Sequence, residues 1–315
     1  MSILLMLNGL FMVTCLPLSW YYGGQDFMAI AGAASIAIFL GGLLWLLTRN
    51  SDNKELRKRE GYLVVTGGWF VMSLIGTLPY LLSGEITNIT DAFFETVSGY
   101  STTGATIFVD IESVGKGILL WRSLTQWIGG MGIIVLTVAI LPILGIGGMQ
   151  LFVAEAPGIS PDKFQPRIKE TAKRLWMIYM GLTALEIVFL MVGDMSFYDA
   201  LNHSLTTMAT GGFSTKNTSI AYYDSAYIDY VIIFFMFLAG TSFTVLYFGL
   251  HGRIKKAFDN QEFRFYVWLC AVVTLFSALI IVSNGDESFS IAIRESLFQV
   301  VSVITTTGFV TKDYT

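Results

Sequence analysis

The sequence is poor in charge, in cysteine and in histidine. Charged residues make up 13% of its 315 residues, against about 25% in an ordinary soluble domain. Two cysteines and two histidines are too few for a disulfide framework or a clustered zinc site. Because Cys15 and Cys270 both lie in apolar runs, we interpret them as buried thiols. The low charge excludes a soluble globular domain.

Long apolar runs dominate the chain instead. Apolar residues make up 54% of the sequence, and the mean hydropathy is +0.65. Since a membrane-crossing helix needs about 20 apolar residues, the sequence predicts an all-α integral membrane protein. The predicted spans are residues 3–22, 27–48, 61–83, 118–144, 175–193, 227–250 and 265–283.

Three further apolar segments are too short to cross a bilayer. They cover residues 91–101, 197–208 and 291–304, and each is followed by a cluster of threonine and glycine. Non-helical backbone is tolerated at membrane depth only where protein buries it or it lines a wet cavity. We therefore interpret each segment as a re-entrant half-helix with a loop, and three of them as part of a pore.

The basic residues predict the orientation of the chain. Of the 19 Lys and Arg residues, 14 lie in three alternate connections, at residues 49–60, 149–174 and 251–264. The positive-inside rule makes these connections and the N-terminus cytoplasmic. The opposite side carries 14 acidic residues, Asp26 and Glu95 among them, and few basic ones, such as Arg122. That side is either an ordinary solvated face or a mouth that concentrates cations.

The three short segments are one motif repeated. In each, an acidic residue stands 13 positions before a glycine, and the glycines are 108 and then 96 residues apart. A period this long, with the motif in the same place in each unit, indicates an internal repeat. The acid and glycine of the three motifs are Asp91 and Gly104, Asp199 and Gly212, and Glu295 and Gly308.

The residue types suit an ion filter. A dehydrated potassium ion needs carbonyl oxygens in place of its water shell, and glycine permits the positive φ angles that turn carbonyls inward. The preceding threonines are compact, and their hydroxyls can satisfy backbone groups behind the filter. Each half-helix points the negative end of its dipole at the ion path, and the acidic residue sits near the positive end.

The chain resembles the Trk/Ktr/HKT superfamily of potassium transporters, and within it the TrkH-type membrane subunit. The resemblance rests on the three filter motifs and on the stretches Trp121–Ile134, Leu141–Gln150 and Ala154–Gly158. The two helices before the first repeat also suit the TrkH type. The resemblance covers essentially all 315 residues.

This resemblance implies an all-α fold of channel-like repeats, each made of a helix, a half-helix with its filter loop, and a second helix. We assign residues 1–60 to two additional N-terminal helices and a basic loop, 61–150 to the first repeat, 151–258 to the second and 259–315 to an incomplete third. The fourth repeat is absent. We expect the coding sequence to continue beyond Thr315, and this chain alone not to conduct ions.

The resemblance also implies where potassium binds and what the protein needs. Backbone carbonyls of nine residues would hold K⁺, and no organic cofactor and no enzymatic activity are expected. We call the nine residues the filter triplets. They are Thr102, Thr103 and Gly104; Thr210, Gly211 and Gly212; and Thr306, Thr307 and Gly308.

The implied function is potassium uptake across the bacterial cytoplasmic (inner) membrane, as the ion-conducting subunit of a Trk-type system. The implied partners are a second copy of the chain, a cytoplasmic nucleotide-binding ring of the TrkA type and the lipid bilayer, with no nucleic acid. Two alternatives stay open at this stage. One is a sodium-conducting or poorly selective relative of the same fold, and the other is a non-conducting truncated product.

Three other features have competing interpretations. Glu186 is the lone carboxylate in the interior of a predicted span, since Asp229 is at the start of its own. It is therefore a functional candidate or a protonated, hydrogen-bonded group against a neighbouring helix. His203 lacks companion ligands and is interpreted as a packing and hydrogen-bonding residue. The glycines at 129, 130 and 132 lie in an apolar helix, where close helix packing explains them better than a phosphate loop.

The orientation can be tested by cysteine labelling. In the complete reading frame that contains this chain, Lys58→Cys should be protected from an impermeant thiol reagent applied outside intact cells. Lys216→Cys should react, because its loop is predicted to face outward. The unaltered protein, with Cys15 and Cys270 in apolar runs, is the background control. Labelling at position 58 but not at 216 would show that the orientation is inverted.

Overall fold

The computed structural model describes residues 1–49, 58–132, 168–250, 252–283 and 288–312, and the regular elements in these ranges are all helices. A 3₁₀ turn covers Ser219–Tyr223. The α-helices are α1 (Ser2–Tyr21), α2 (Phe27–Thr48), α3 (Lys58–Gly76), α4 (Leu78–Ser83), α5 (Ile89–Tyr100), α6 (Lys116–Gly130), α7 (Ile168–Val192), α8 (Phe197–Met208), α9 (Ala226–Ala239), α10 (Phe243–Leu250), α11 (Ile254–Phe258), α12 (Gln261–Ser283) and α13 (Phe289–Ile304).

The predicted spans are largely confirmed, with two breaks. Five helical stretches of the described residues are long and apolar enough to cross a membrane: Ser2–Tyr21, Phe27–Thr48, Val65–Ser83 (part of α3 together with α4), Lys173–Val192 and Gln261–Ser283. The run at 61–83 breaks after Gly76, because Pro79 fits the first turn of a new helix better than a helix interior. The run at 227–250 is divided into α9 and α10 at Gly240. Residues 133–144 of the run at 118–144 lie outside the described residues.

The chain forms two compact units. The first contains Met1–Ser101 and Ala105–Met177, and the second contains Thr102–Gly104 and Ile178–Thr315. All three filter triplets therefore belong to the second unit. The division into repeats at residues 60, 150 and 258 stays a prediction.

In the first unit, α1 and α2 approach each other closely because small residues face the contact. An added Cβ at Gly9 would lie 2.9 Å from the carbonyl oxygen of Ala34, and one at Gly41 would lie 2.8 Å from that of Ser2. Helices in lipid lack a hydrophobic driving force between them, so backbone proximity of this kind supplies the packing contact. Gly9 and Gly41 are thus interface residues of these two helices.

Two buried polar residues tie the N-terminal helices to the rest of the first unit. Asn8 on α1 accepts a hydrogen bond from the Tyr100 hydroxyl at 2.9 Å and donates one to the Met72 carbonyl at 3.3 Å. Asp26 accepts hydrogen bonds from the Ser19 hydroxyl and, at 2.8 Å, from the Ile118 amide in the first turn of α6. A carboxylate at a helix N-terminus is favourable because it meets free N–H groups and the positive end of the dipole. Polar contacts therefore fix α1 and α2 on the first half-helix and on α6.

In the second unit, α13 packs against α9 and α12. Arg294 on α13 pairs with Asp229 on α9 at 3.4 Å. The ring of Tyr266 on α12 stacks on Phe237 on α9, with ring centroids 4.8 Å apart. The third half-helix thus packs against two helices of the same unit.

Candidate ion-binding filter

The three half-helices predicted from the sequence are present, and they end in the same register. They are α5, α8 and α13, whose last residues are Tyr100, Met208 and Ile304. Each ends four residues before the glycine of its motif. A side chain caps the start of two of them, with Asn88 accepting from the Thr90 amide and Ser196 from the Asp199 amide.

The position predicted for the third acidic residue is wrong. Asp91 and Asp199 lie in the first turns of α5 and α8, as expected for carboxylates at the positive end of a helix dipole. In the third repeat the helix begins earlier, at Phe289, and its first turn has no acidic residue. Glu295 therefore lies in the second turn, where it pairs with Lys312 at 2.8 Å.

The filter triplets share one backbone conformation. The first residue of each has a positive φ: 53° at Thr102, 52° at Thr210 and 60° at Thr306. The glycine that ends each triplet also has a positive φ, 79°, 72° and 81° in chain order, and the residue between them does not. An alternation of left-handed and right-handed residues is compatible with successive carbonyls on one side, as in filters built from rings of backbone carbonyls. The backbone can thus present consecutive carbonyls to one ion.

The positive φ of the threonines was not predicted. The sequence predicts the left-handed conformation at the glycines alone, because a β-branched residue rarely adopts it. The conformation costs about 1–2 kcal/mol at a residue with a side chain. Since the same cost recurs at Thr102, Thr210 and Thr306, neighbouring contacts must offset it.

One hydroxyl on each half-helix supplies such a contact. The residue six positions before the glycine donates a hydrogen bond to the carbonyl of the residue just after the glycine. The pairs are Ser98 to Ala105 at 2.6 Å, Thr206 to Phe213 at 2.8 Å and Ser302 to Phe309 at 2.8 Å. We call these hydroxyls the loop anchors, and all three side chains are buried.

In two repeats the residue that carries the loop anchor also binds the middle residue of the triplet, through its backbone carbonyl. The amide of Gly211 donates to the carbonyl of Thr206, and that of Thr307 donates to the carbonyl of Ser302, both at 2.9 Å. The amides of Gly211 and Thr307 are therefore hydrogen-bonded to their own half-helices. Sequence reasoning assigned the supporting hydroxyls to the triplet threonines and missed the loop anchors. A serine or threonine at the same offset from the glycine in all three repeats was the available signal.

The second and third filter loops contact each other within the second unit. A Cβ added at Gly212 would lie 1.8 Å from the Thr307 carbonyl oxygen. Farther along, the Ala221 amide donates to the Val310 carbonyl at 3.1 Å. At Gly212 the absence of a side chain is therefore required twice, by its φ and by the neighbouring backbone.

The first filter loop is held by a buried ion pair instead. Arg122 Nε lies 2.6 Å from Glu95 Oε1, and the side chains are 2% and 0% exposed. Glu95 also accepts the Thr106 hydroxyl on Oε1 and the Ile107 amide on Oε2, both at 2.9 Å. Glu95, Arg122 and Asp26 were predicted to lie on the outer side. All three are buried, so they are not part of a solvated face, and the side on which they lie stays a prediction.

His203 occupies the position in the second repeat that Glu95 has in the first. Its ring nitrogens contact the Asp199 carbonyl at 2.8 Å and the Ser214 hydroxyl at 2.9 Å. Its ring also packs on Phe309, with centroids 5.9 Å apart. The predicted packing and hydrogen-bonding role is confirmed.

The other residues singled out from the sequence are placed as follows. Cys15 and Cys270 are buried, as predicted. Glu186 is fully buried on α7, and its role stays open. A Cβ added at Gly129 would lie 2.1 Å from the Tyr100 carbonyl oxygen, so this glycine serves close packing against the end of the first half-helix. The stretches Leu141–Gln150 and Ala154–Gly158 lie outside the described residues.

Apolar helices combined with re-entrant half-helices define a membrane protein of the ion-transporting class. The family model described as "TrkH: Cation transport protein" matches residues 26–314. The chain belongs to this family of cation transport proteins.

Relatives and a solved structure agree with this assignment. The chain is 44% identical over 281 residues to the Trk system potassium uptake protein TrkH of Escherichia coli K12, covering 88% of this chain and 58% of the relative. It is 39% identical over 317 residues to TrkH of Halomonas elongata, covering 100% of this chain and 66% of that protein. The crystal structure of the potassium transporter TrkH from Vibrio parahaemolyticus matches with a TM-score of 0.84 at 36% identity, covering 99% of this chain and 64% of that one. The chain thus spans about three fifths of the length of these relatives.

The contact at Gly212 leads to a prediction about stability. Gly212→Ala and Gly308→Ala both place a side chain at a positive φ, which costs about 1 kcal/mol. Only Gly212→Ala also meets a backbone oxygen, because an added Cβ at Gly308 has nothing within 4 Å. Overpacking of this kind costs on the order of 1–3 kcal/mol more. In detergent, the midpoint temperature of thermal unfolding should therefore be higher for purified Gly308→Ala than for Gly212→Ala. Equal midpoints would contradict the contact at Gly212.

Proposed function

We propose that the protein takes up potassium across the bacterial cytoplasmic membrane, as the ion-conducting subunit of a Trk-type system. The carrying observation is that three triplets in one chain repeat the same alternation of hand and the same loop anchor. Relatives named for potassium uptake support the choice of ion. Potassium is the transported ion in this proposal, and chemical catalysis has no part in it.

The nine residues of the filter triplets are the proposed potassium ligands, through their backbone carbonyls. Carbonyl oxygens of this kind replace the hydration shell of the ion. Glycine ends each of the three triplets, at residues 104, 212 and 308. The resemblance to the Trk/Ktr/HKT superfamily implies that this pattern accompanies potassium selectivity, whereas serine at the first of these positions accompanies sodium transport in plant relatives. The pattern favours potassium over the sodium-conducting alternative.

The proposal includes an assembly and an orientation. The protein would work as a homodimer in the inner membrane, with a cytoplasmic N-terminus and a nucleotide-binding ring of the TrkA type on the cytoplasmic side. The name "Trk system" of the relatives supports a multi-component assembly. The basic connections around Lys58, Lys173 and Lys255 support the orientation by the positive-inside rule.

Selectivity is tested by comparing serine substitutions at two glycines. In the complete reading-frame product, Gly104→Ser should lower the ratio of potassium to sodium flux into vesicles severalfold. A side chain at φ 79° costs about 1 kcal/mol, and about 1.4 kcal/mol corresponds to a tenfold preference. The same variant should weaken potassium-dependent growth of an uptake-deficient host.

The matched control is Gly84→Ser. Gly84 has a φ of 77° and open space around it, but it ends α4 rather than a filter triplet. It should lose similar stability and keep the flux ratio. If Gly84→Ser changes the ratio and Gly104→Ser does not, the filter assignment is wrong. An unaltered protein that conducts sodium as well as potassium would instead favour the poorly selective alternative.

A further inference from the structure

The clearest unassigned feature is the ion pair between Glu95 and Arg122. Both side chains are almost completely buried, at 0% and 2% exposure. Burying two charges requires that each be paired and hydrogen-bonded, and a hydrophobic pair of similar size is often no less stable. The pair is therefore weak evidence for a purely stabilising role, and its position must be considered.

Glu95 is hydrogen-bonded to the residues just after the first filter triplet. Its two carboxylate oxygens accept three hydrogen bonds, from the Thr106 hydroxyl, the Ile107 amide and Arg122 Nε. Ser98, three residues later on the same face of the half-helix, holds the Ala105 carbonyl. Together these contacts fix residues 105–107, which follow Gly104 directly.

The same place in the other repeats has different chemistry. Counted back from the glycine by nine residues, the half-helix presents Glu95, His203 and Gln299. His203 contacts the hydroxyl of Ser214, which corresponds to Thr106. In the third repeat the residue corresponding to Thr106 is Val310, which has no hydroxyl, and Gln299 Oε1 is buried without a hydrogen-bond partner in the described structure. The first repeat alone uses a carboxylate here.

We propose that Glu95 and Arg122 are positioning residues for the first filter triplet. Glu95 sets the orientation of the peptide groups that follow Gly104, and Arg122 neutralises its charge so that the carboxylate does not compete with the filter for the cation. Only an ionised carboxylate can accept all three donors, since an amide would set its own N–H₂ against one of them. This inference rests on the proposed conduction of potassium through that triplet.

The test uses Glu95→Gln, Arg122→Gln and the double variant in the complete reading-frame product. Losing one hydrogen bond to a charged group shifts an equilibrium by about tenfold, so Glu95→Gln should lower the potassium-to-sodium flux ratio by about that factor. It should also speed amide hydrogen exchange in a peptide covering residues 101–110. Arg122→Gln should reduce the yield of folded protein, because it leaves a buried carboxylate uncompensated.

The double variant separates positioning from stability. It removes the uncompensated charge and should recover the yield, while the flux ratio and the exchange of residues 101–110 stay altered. A purely structural pair would recover all three. Asp26→Asn is the matched control, since Asp26 is also a buried carboxylate that accepts one hydroxyl and one amide, at α6 rather than at the filter. It should change stability without changing the ratio or the exchange of residues 101–110.

The result that would overturn the positioning role of the pair differs from the result that would overturn the proposed function. If Glu95→Gln leaves both the flux ratio and the exchange of residues 101–110 as in the unaltered protein, the positioning role is overturned. If the unaltered protein shows no preference for potassium, the proposed function fails. The exchange measurement then decides the inference about Glu95 by itself, because it reports on the loop without requiring conduction.

Discussion

The hydrogen bond from each loop anchor to the carbonyl after the glycine is the contact on which the three filter loops depend. Each loop contains a threonine in the left-handed region, at a cost of about 1–2 kcal/mol. A buried hydrogen bond contributes about 0.5–1.5 kcal/mol. One anchor therefore offsets much of the strain, and the amides that close onto Thr206 and Ser302 supply more.

The anchors are alike in all three repeats, but the contacts around them are not. The first loop is held through a carboxylate and a guanidinium, and the second through an imidazole. In the third, the Val310 amide donates to the Ser219 hydroxyl at 3.4 Å, on the 3₁₀ turn of the preceding repeat. The repeats thus share the backbone geometry and the loop anchor, whereas the side chains that contact the residues after the glycine differ from one repeat to the next.

Periodicity predicted the fold well because membrane helices need long apolar runs. The second half-helix, predicted at residues 197–208, has those same bounds in the structure. The break before Pro79 was missed because Leu78–Ser83 continues the apolar run without a polar residue until Ser83. Hydropathy measures burial in lipid, and a break in the helical hydrogen bonding leaves it unaltered.

The candidate site was predicted as far as local sequence can specify it. The three motifs and their glycines follow from spacing, whereas the triplets as potassium ligands come from the resemblance to the transporter superfamily and stay a prediction. The Glu95–Arg122 pair does not follow from the sequence, because its members are 27 residues apart and each side chain, taken alone, is typical of a solvated surface. Glu295 was misplaced for a related reason: the motif aligns residues on the glycine, whereas α13 begins at Phe289, six residues before Glu295. Long-range pairing and helix starts depend on the packed structure.

The hydrogen bond between Asn8 and Tyr100 has a consequence for biosynthesis. Its partners are 92 residues apart, so at a synthesis rate of about 5–20 residues per second Tyr100 emerges roughly 5 to 20 s after Asn8. During that interval the first helix must reside in the bilayer with an amide whose final partner does not yet exist. Insertion of this chain therefore includes a waiting period, in which water, lipid headgroups or the insertion machinery must accommodate Asn8 until the first half-helix arrives.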